Sequence, residues 1–340
     1  MTIGPFVRLL VCDHAWTVPT GVTTTPIDSR LATPGSPGES RVPTHESRRK
    51  AYFAWATVCV VWGTTYLAIR IALESIPPLL MAAMRYTTAG AMLAAILRAR
   101  GERLPGPRAW PSLMLLGALL LGLGNGGVVW AEQTVPSGMT AVLVATSPFW
   151  LTGIDAGFGG DRLTRRRWIG LLIGFAGIVA LVWPELELGN RRAFVVGLVA
   201  TQIACVGWAV GSLYARRRGH GHARDENVLA TAAFEMLFGG LALCVAAAVH
   251  HEYASLTFTP RTAAALGYLI VFGAVVGFTA YAYALKHLPV AVVSLYAYVN
   301  PVIAVFLGVL ILNEPFDLRD VLAAAVVFAG VAMVRRPAGR

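Results

Sequence analysis

The sequence predicts an all-α integral membrane protein, with ten transmembrane helices arranged as two inverted five-helix repeats. Three observations lead to this fold class: an apolar composition, a series of apolar runs about twenty residues long, and a weak internal repeat. Of the 340 residues, 56% are apolar and only 14% are charged, and the mean hydropathy is +0.63. Water-soluble domains carry about 25% charged residues, so most of this chain is expected to lie in lipid.

Ten apolar runs follow an N-terminal segment of different composition, and each is long enough to cross a bilayer as a helix. A segment in lipid must satisfy its backbone hydrogen bonds internally, and these runs are apolar on all faces, which favours helices over a β-barrel. Residues 1–47, rich in Thr, Pro, Ser and Gly, have no hydrophobic periodicity and are expected to form a disordered tail. The predicted spans are 51–73, 78–98, 111–130, 137–158, 167–184, 193–215, 227–249, 263–284, 289–311 and 319–335.

An internal repeat relates the first five spans to the last five. When the two Phe-Ala-Gly triplets, residues 175–177 and 328–330, are aligned, Pro148 falls on Pro301 without a gap. Because each unit contains five helices, an odd number, the second unit must enter the membrane in the opposite orientation. Inverted repeats are typical of secondary transporters, whose substrate sites lie near the membrane midplane.

The charge of the linkers supports the inversion and predicts the orientation. The linker "GDRLTRRRW" of the first unit (51–184) is basic, whereas the matching linker "NEPFDLRDV" of the second unit (193–335) is acidic. Basic residues stay on the cytoplasmic side. We therefore expect a multi-pass protein of the cytoplasmic (inner) membrane with both termini in the cytoplasm. With that orientation the opposite side keeps only a few basic residues, namely Arg191, Arg192, Arg261 and Arg319.

Three stretches of the spans carry a family resemblance. They read "WGTTYLAIRIALESIPPLLMAAMRY", "GNGGVVWAEQTVPSGMTAVLVATSPFW" and "SLYAYVNPVIAVFLGVLILNEP". Together they resemble the EamA-domain branch of the drug/metabolite transporter superfamily, and the resemblance extends over residues 51–335. It implies an exporter-like fold with two five-helix repeats around a central cavity. It also implies a small-molecule solute as substrate: an amino acid, another metabolite or a toxic organic compound.

Two charged residues in matched spans are the first candidates for a solute site, because charged groups are costly in lipid. In the functional interpretation Arg85 binds a solute carboxylate, and its counterpart Glu235 binds an amine or carries a coupling proton. In the alternative, Arg85 extends to the aqueous surface and Glu235 forms a structural hydrogen bond. Two further charged residues, Arg70 and Glu132, lie near outer helix ends, and Arg70 can pair with Glu74.

Aromatic and amide side chains inside the spans supply the rest of the predicted solute site. Tyrosine and tryptophan can line an amphipathic pocket, although they also anchor helices at membrane interfaces. The remaining predicted pocket residues are Tyr66, Asn125, Trp208, Tyr281, Tyr298 and Asn300.

The matched prolines Pro148 and Pro301 are predicted hinges. Proline removes a backbone hydrogen bond and kinks a helix, and membrane helices tolerate this where neighbouring groups satisfy the freed carbonyls. Thr146 and Ser147 stand directly before the first of these prolines. Alternating access needs helices that bend, which favours a hinge over static packing.

The predicted function is a secondary transporter, and more specifically an exporter, that moves small organic solutes by alternating access. The alternative is a membrane-embedded enzyme or sensor that uses the helical bundle as a scaffold. No G-x-x-x-x-G-K-[ST] phosphate loop occurs, and the arginines are scattered through short linkers with no basic patch interleaved with aromatic residues, so we expect neither ATP nor nucleic acid as a partner. No cofactor or metal centre is expected. Gly273 and Gly277 permit close helix packing. The sequence does not decide whether such pairs also form the interface of a homodimer.

Overall fold

Every regular element in the described part of the chain is helical. Helix α1 begins at His45, inside the segment that the sequence predicts to be a disordered tail; the rest of that tail lies outside the described residues. The computed structural model describes residues 45–158, 164–187, 191–218, 227–288, 290–293, 295–315 and 317–335.

The two halves of the chain contain the same order of elements. The first helices of both halves have 28 residues and the second helices have 22. The first half consists of α1 His45–Ala72, α2 Pro78–Ala99, a 3-10 turn Pro107–Ala109, α3 Trp110–Leu116, the π-helical segment π1 Gly117–Asn125, α4 Gly126–Ala131, α5 Ser137–Val144, α6 Ser147–Gly157 and α7 Arg165–Glu187. The second half consists of α8 Arg191–Arg218, α9 Val228–Val249, a 3-10 turn Glu252–Ser255, α10 Pro260–Tyr268, π2 Leu269–Val276, α11 Gly277–His287, α12 Val290–Val293, α13 Tyr296–Leu312 and α14 Leu318–Arg335.

Eight helical segments among the described residues are long and apolar enough to cross a membrane. They correspond to the first eight predicted spans. The ninth, Tyr296–Leu312, is apolar but shorter. The tenth, Leu318–Arg335, has 18 residues and contains Arg319, Asp320 and Arg335. The structure therefore has an all-helical fold with eight apolar spans and a shorter one, and the count of ten spans stays a prediction.

Four of the predicted spans are interrupted, which their apolar composition did not indicate; the ninth is divided between α12 Val290–Val293 and α13 Tyr296–Leu312. The third span contains π1 and the eighth contains π2, at equivalent places in the two halves. The fourth span is divided at Ala145 and Thr146, between α5 and α6. Short π-helical segments inside α-helices occur frequently at functional sites, so these interruptions direct attention to the centre of the bundle.

Pro148 explains the division of the fourth span. It has no N–H to donate to the Val144 carbonyl four residues earlier. The Ser147 hydroxyl donates to that carbonyl instead, at 2.6 Å, and the Thr146 hydroxyl donates to the Leu143 carbonyl at 2.6 Å. The carbonyl groups next to the break are thus hydrogen-bonded within the segment. Pro301 lies in the interior of α13.

Helices from the two halves make the most extensive contacts, α2 with α9 and α7 with α14. In the second pair the backbones touch. A β-carbon on Gly330 of α14 would lie 2.5 Å from the Gly174 nitrogen and 2.6 Å from the Gly170 carbonyl oxygen of α7. Such close approach is typical of small residues between membrane helices.

Replacing Gly330 with alanine is expected to separate α7 from α14, because backbone atoms cannot move aside as a side chain does. Overpacking of this kind lowers the free energy of unfolding by about 1–3 kcal/mol. Thermal unfolding in detergent measures the effect. Gly267→Ala is the matched control, because a β-carbon on Gly267 of α10 meets nothing within 4 Å. Equal melting temperatures for the two variants would contradict the contact.

The outer surface of the helices keeps large apolar side chains. Phe306 and Leu310 of α13, Leu172 of α7 and Val249 of α9 are all more than half exposed. Large apolar side chains exposed in such number are typical of a membrane-contact surface. The buried side chains form a large core around α1, α2, α9 and α11, and a smaller one around α5, α7 and α14.

Candidate functional site

A cavity lies at the centre of the bundle, between the two halves of the chain. Its volume is about 170 Å³, roughly ten times the space that one water molecule requires. It is lined by residues from α1, α2 and the interrupted spans of the first half, and from α8, π2, α11, α13 and α14 of the second half. The cavity therefore has room for a small organic molecule in contact with both halves.

Eight of the ten residues that the sequence predicts as pocket or hinge residues line this cavity. They come from six elements that are distant in sequence. Their roles in transport stay predictions, but their side chains converge on one space. The eight are Tyr66, Arg85, Asn125, Pro148, Trp208, Tyr298, Asn300 and Pro301.

The other two, Tyr281 and Glu235, are not among the lining residues. Tyr281 is fully buried behind the wall, and its ring packs against Trp62 and Tyr296 with centroid distances of 5.2 and 5.8 Å. Glu235 lies on α9 where that helix touches π1: a β-carbon on Gly117 would lie 2.5 Å from the Glu235 carbonyl oxygen. The repeat matches Glu235 to Arg85 by position along the helix, but the face that each helix turns to the cavity is set by packing.

Arg85 is buried in the cavity wall, with 5% of its surface exposed. The predicted alternative, in which it extends to the aqueous surface, is therefore wrong. Its guanidinium lies 4.9 Å from the centre of the Tyr86 ring, a cation–π arrangement, and its Nε has no hydrogen-bond partner. A β-carbon on Gly273 would lie 3.2 Å from Arg85 Nη2, so the glycine leaves space for the guanidinium. A buried cation with an unsatisfied hydrogen-bond donor is costly, and this site is suited to an anionic ligand.

Aromatic rings form the wall next to Arg85. The Trp62 indole donates a hydrogen bond to the Gly273 carbonyl (Nε1–O 3.1 Å) and packs edge-on against Phe278 and Tyr296, at centroid distances of 5.5 and 5.0 Å. Trp62 lines the cavity too. It lies four residues before Tyr66, and this spacing places both on the same face of α1.

The two asparagines direct their side-chain amides to backbone carbonyl groups. Asn125 donates to the Leu120 carbonyl, five residues earlier, at 3.2 Å. With its amide nitrogen turned towards two carbonyl groups, Asn300 donates to Cys59 at 3.1 Å and Tyr296 at 3.0 Å. These bonds hold polar groups at the cavity edge where helical hydrogen bonding is disturbed by π1 and by Pro301.

The π-helical segments contribute to the site in a way that the sequence did not indicate. Gly124 and Asn125 of π1 line the cavity on one side and Gly273 of π2 lines it on another. The Trp208 ring lies 3.1 Å from the position of a β-carbon on Gly124. A bulky side chain at Gly124 or Gly273 would therefore displace a ring or guanidinium that lines the cavity.

Loops from both halves meet at one end of the bundle, and each carries a glutamate. We call this end, formed by residues 73–77, 132–136, 250–259, 313–315 and 317, the acidic end. Its contacts are Leu80 N to Glu252 Oε2 (2.8 Å), Ser137 N to Glu314 Oε1 (2.9 Å), Arg261 Nη2 to Glu74 Oε1 (3.1 Å), and a hydrogen bond from the Arg70 guanidinium to the Glu132 backbone carbonyl.

The prediction that Arg70 pairs with Glu74 is wrong. Glu74 pairs with Arg261 of the second half, and Arg70 turns towards the end of α4. Both residues stand close to the end of α1, where the chain leaves the helical geometry that a pair four residues apart requires. Arg70 therefore connects two spans of the first half.

Comparison with known proteins gives matches over most of the chain. The model of the EamA-like transporter family matches residues 49–183 and again residues 195–336. The "Uncharacterized inner membrane transporter YedA" of Escherichia coli (strain K12) is 38% identical over 278 residues, which cover 81% of this chain and 87% of that protein. The "Probable terminal-alkyne amino-acid exporter" of Streptantibioticus cattleyicolor is 27% identical over 295 residues, which cover 86% of this chain and 95% of that protein.

A solved structure, described as "Crystal structure of protein", has a similar fold. Its TM-score is 0.56 at 23% sequence identity, and the match covers 84% of this chain and 96% of that chain. The family model matches the two halves separately, and the cavity lies between the two matched segments. On the double match and the identity to the inner membrane relative, the chain belongs to the EamA-like transporter family.

Proposed function

We propose that the protein is a secondary transporter whose central cavity binds a small amphipathic solute by its carboxylate. The observation that carries this proposal is the position of Arg85, the one charged residue among the described residues that line the aromatic cavity. Ligand sites are commonly apolar with a few placed polar groups. An aromatic wall with one buried guanidinium is suited to a solute that has an apolar body and one negative group.

The two halves are proposed to be inverted five-helix repeats that rock against each other. Support comes from the equal lengths of their first two helices, the π-helical segment in each third span and the double family match. Alternating access in transporters is largely a rigid movement of one repeat against another around a central site. The distribution of Arg and Lys supports both termini in the cytoplasm, and the name of YedA supports an inner-membrane location.

Pro148 and Pro301 are proposed to serve as hinges of this movement. Both line the cavity, so bending at either residue changes the shape of the solute site directly. The hydroxyl groups of Thr146 and Ser147 already satisfy the carbonyls next to Pro148. A segment whose hydrogen bonds close locally can bend without exposing unpaired backbone groups.

An amino acid or a related aromatic acid is the proposed solute class. The relative from Streptantibioticus cattleyicolor is named as an exporter of an amino acid, and every amino acid carries the carboxylate that Arg85 is placed to bind. Export, which the sequence predicts, is part of the proposal. A cavity has no direction of its own, so export rests on the sequence prediction and on the name of this relative.

A membrane-embedded enzyme or sensor is the rival function. The family and the relatives are named as transporters, which favours transport. The rival requires a covalent change in the bound molecule, or binding without movement. A solute that stabilises the purified protein against heat, is recovered chemically unchanged and crosses the membrane would exclude it.

Flux through proteoliposomes tests the proposal. Purified full-length protein is reconstituted and preloaded with labelled phenylacetate (an anion), phenylalanine (a zwitterion) or tetraphenylphosphonium (a cation). We expect the two carboxylate-bearing probes to leave faster than from protein-free vesicles, and the lipid-permeant cation to leave at the same rate with and without the protein. Faster release of the cation alone would contradict the proposed solute class. If correctly inserted protein releases none of the probes faster, the proposed transporter function itself is contradicted.

A further inference from the structure

Glu132 is a buried acid that has no role in the transport cycle proposed above. It follows the last residue of α4 and has no exposed surface. Neither of its carboxylate oxygens has a hydrogen-bond partner. An ionised carboxylate in such surroundings is very costly, whereas the neutral acid removes most of that cost.

Charged and titratable groups surround Glu132 on three elements. Arg70 and Tyr66 approach from α1, Arg85 from α2 and Glu314 from the loop after α13, each close enough to interact electrostatically with a Glu132 carboxylate. Arg70 donates to the Glu132 backbone carbonyl. Two cations thus lie within electrostatic range, and the carboxylate has no hydrogen bond to either of them.

The acid lies next to the cavity, towards the acidic end. Val128, one helical turn before Glu132, lines the cavity, and so does Ile69, the neighbour of Arg70. Tyr66 and Arg85 belong both to the cavity wall and to the surroundings of Glu132. A change of charge at Glu132 therefore acts on the residue proposed to bind the solute.

We propose that Glu132 is a proton-binding site whose occupancy is linked to solute binding at Arg85. This inference rests on the proposed transporter function. It assigns the coupling ion, a proton, and the group that carries it. Glu235, which the sequence predicted for this role, does not line the cavity.

The linkage has a definite sign. When Glu132 is ionised, its negative charge and a solute carboxylate compete for the positive field of Arg85. When a proton from water binds one carboxylate oxygen, that competition ends and the guanidinium is available to the solute. Coupling between two sites is reciprocal, so an anionic solute at Arg85 also favours the protonated acid. When the halves move and water reaches Glu132, deprotonation breaks the O–H bond and returns the proton to water.

Infrared spectroscopy of the purified full-length protein tests the proton site without any solute. At neutral pH we expect the wild type to show the C=O stretching band of a protonated carboxylic acid, shifted in D₂O, and Glu132→Gln to lack this band. Glu74→Gln is the matched control, because Glu74 lies at the same end but is exposed and paired with Arg261. A band that persists in Glu132→Gln, or a wild type without one, would overturn the assignment.

Flux tests the coupling, with phenylacetate as the probe. In wild type and Glu74→Gln, an imposed proton gradient is expected to change the initial rate by roughly tenfold, within the usual range of coupling energies. Glu132→Gln, which resembles the protonated acid, is expected to retain exchange without a gradient and to lose the response to one. A gradient response that survives in Glu132→Gln but disappears in Glu235→Gln would move the site to Glu235.

The two experiments separate failure of this inference from failure of the proposed function. Exchange by the wild type that ignores the gradient would overturn the coupling and leave the transporter intact. Glutamine resembles the protonated acid, so folded Glu132→Gln should still exchange phenylacetate. Loss of both exchange and the gradient response in this variant would contradict the proposal that Glu132 acts only by binding a proton. If the wild type moves no phenylacetate, the proposed function fails, and the infrared spectra still decide whether Glu132 holds a proton.

Discussion

Arg85→Met is expected to weaken the binding of a carboxylate-bearing solute by about thirtyfold or more, while making the protein more stable. Removing one partner of a buried charge pair costs about 2 kcal/mol or more, and about 1.4 kcal/mol corresponds to a tenfold change in affinity. In the solute-free protein Arg85 is a buried cation whose Nε has no hydrogen-bond partner. An apolar side chain of similar length removes that cost, and exchanges of this kind are often stabilising.

Calorimetric binding of phenylacetate and thermal unfolding in detergent measure the two effects on the same samples. Arg98→Met is the matched control, because Arg98 lies in the last turn of the same helix and is exposed. Neither quantity is expected to change in the control. Unaltered phenylacetate binding in folded Arg85→Met would contradict the proposed solute site. A melting temperature that falls would show that the guanidinium has a structural partner in the solute-free protein.

Much of the fold was predictable because the relevant signals are local. Apolar runs of about twenty residues define helices in lipid, and the first eight predicted spans correspond to the eight apolar helices. The π-helical segments and the division of the fourth span were not predictable from apolar content. They depend on which carbonyls each turn satisfies, as with the Ser147 hydroxyl at the Val144 carbonyl.

The candidate site shows where sequence reasoning ends. Tyr66 and Arg85 are polar or charged groups inside apolar spans, a property that the sequence alone shows, and both line the cavity. Glu235 shares this property and does not line the cavity. The difference is the rotation of α2 and α9 about their axes, which is set by contacts such as Gly117 against Glu235. The sequence places Glu132 near a helix end, and only packing shows that it is buried.

Glu314→Gln is expected to lower the free energy of unfolding by about 2 kcal/mol, a typical cost for lost hydrogen bonds to a charged group. The half-buried Glu314 carboxylate accepts hydrogen bonds from Ser137 N and Oγ, both at 2.9 Å, and from Gly138 N at 3.2 Å. These groups form the first turn of α5, whose N–H groups have no acceptor within the helix. A glutamine presents an NH₂ group to donors, so part of this cap is lost together with the favourable charge at the helix N-terminus.

The same substitution tests how the acidic end opens. Glu314 belongs to the second half and α5 to the first, so this cap must break if the halves separate there. Glu314→Gln is therefore expected to exchange phenylacetate faster than the wild type while unfolding at a lower temperature. Glu74→Gln is again the control, because an exposed ion pair contributes at most about 1 kcal/mol. Lower stability without faster exchange would mean that the cap holds α5 in the first half but does not limit opening, and unchanged stability would contradict the cap.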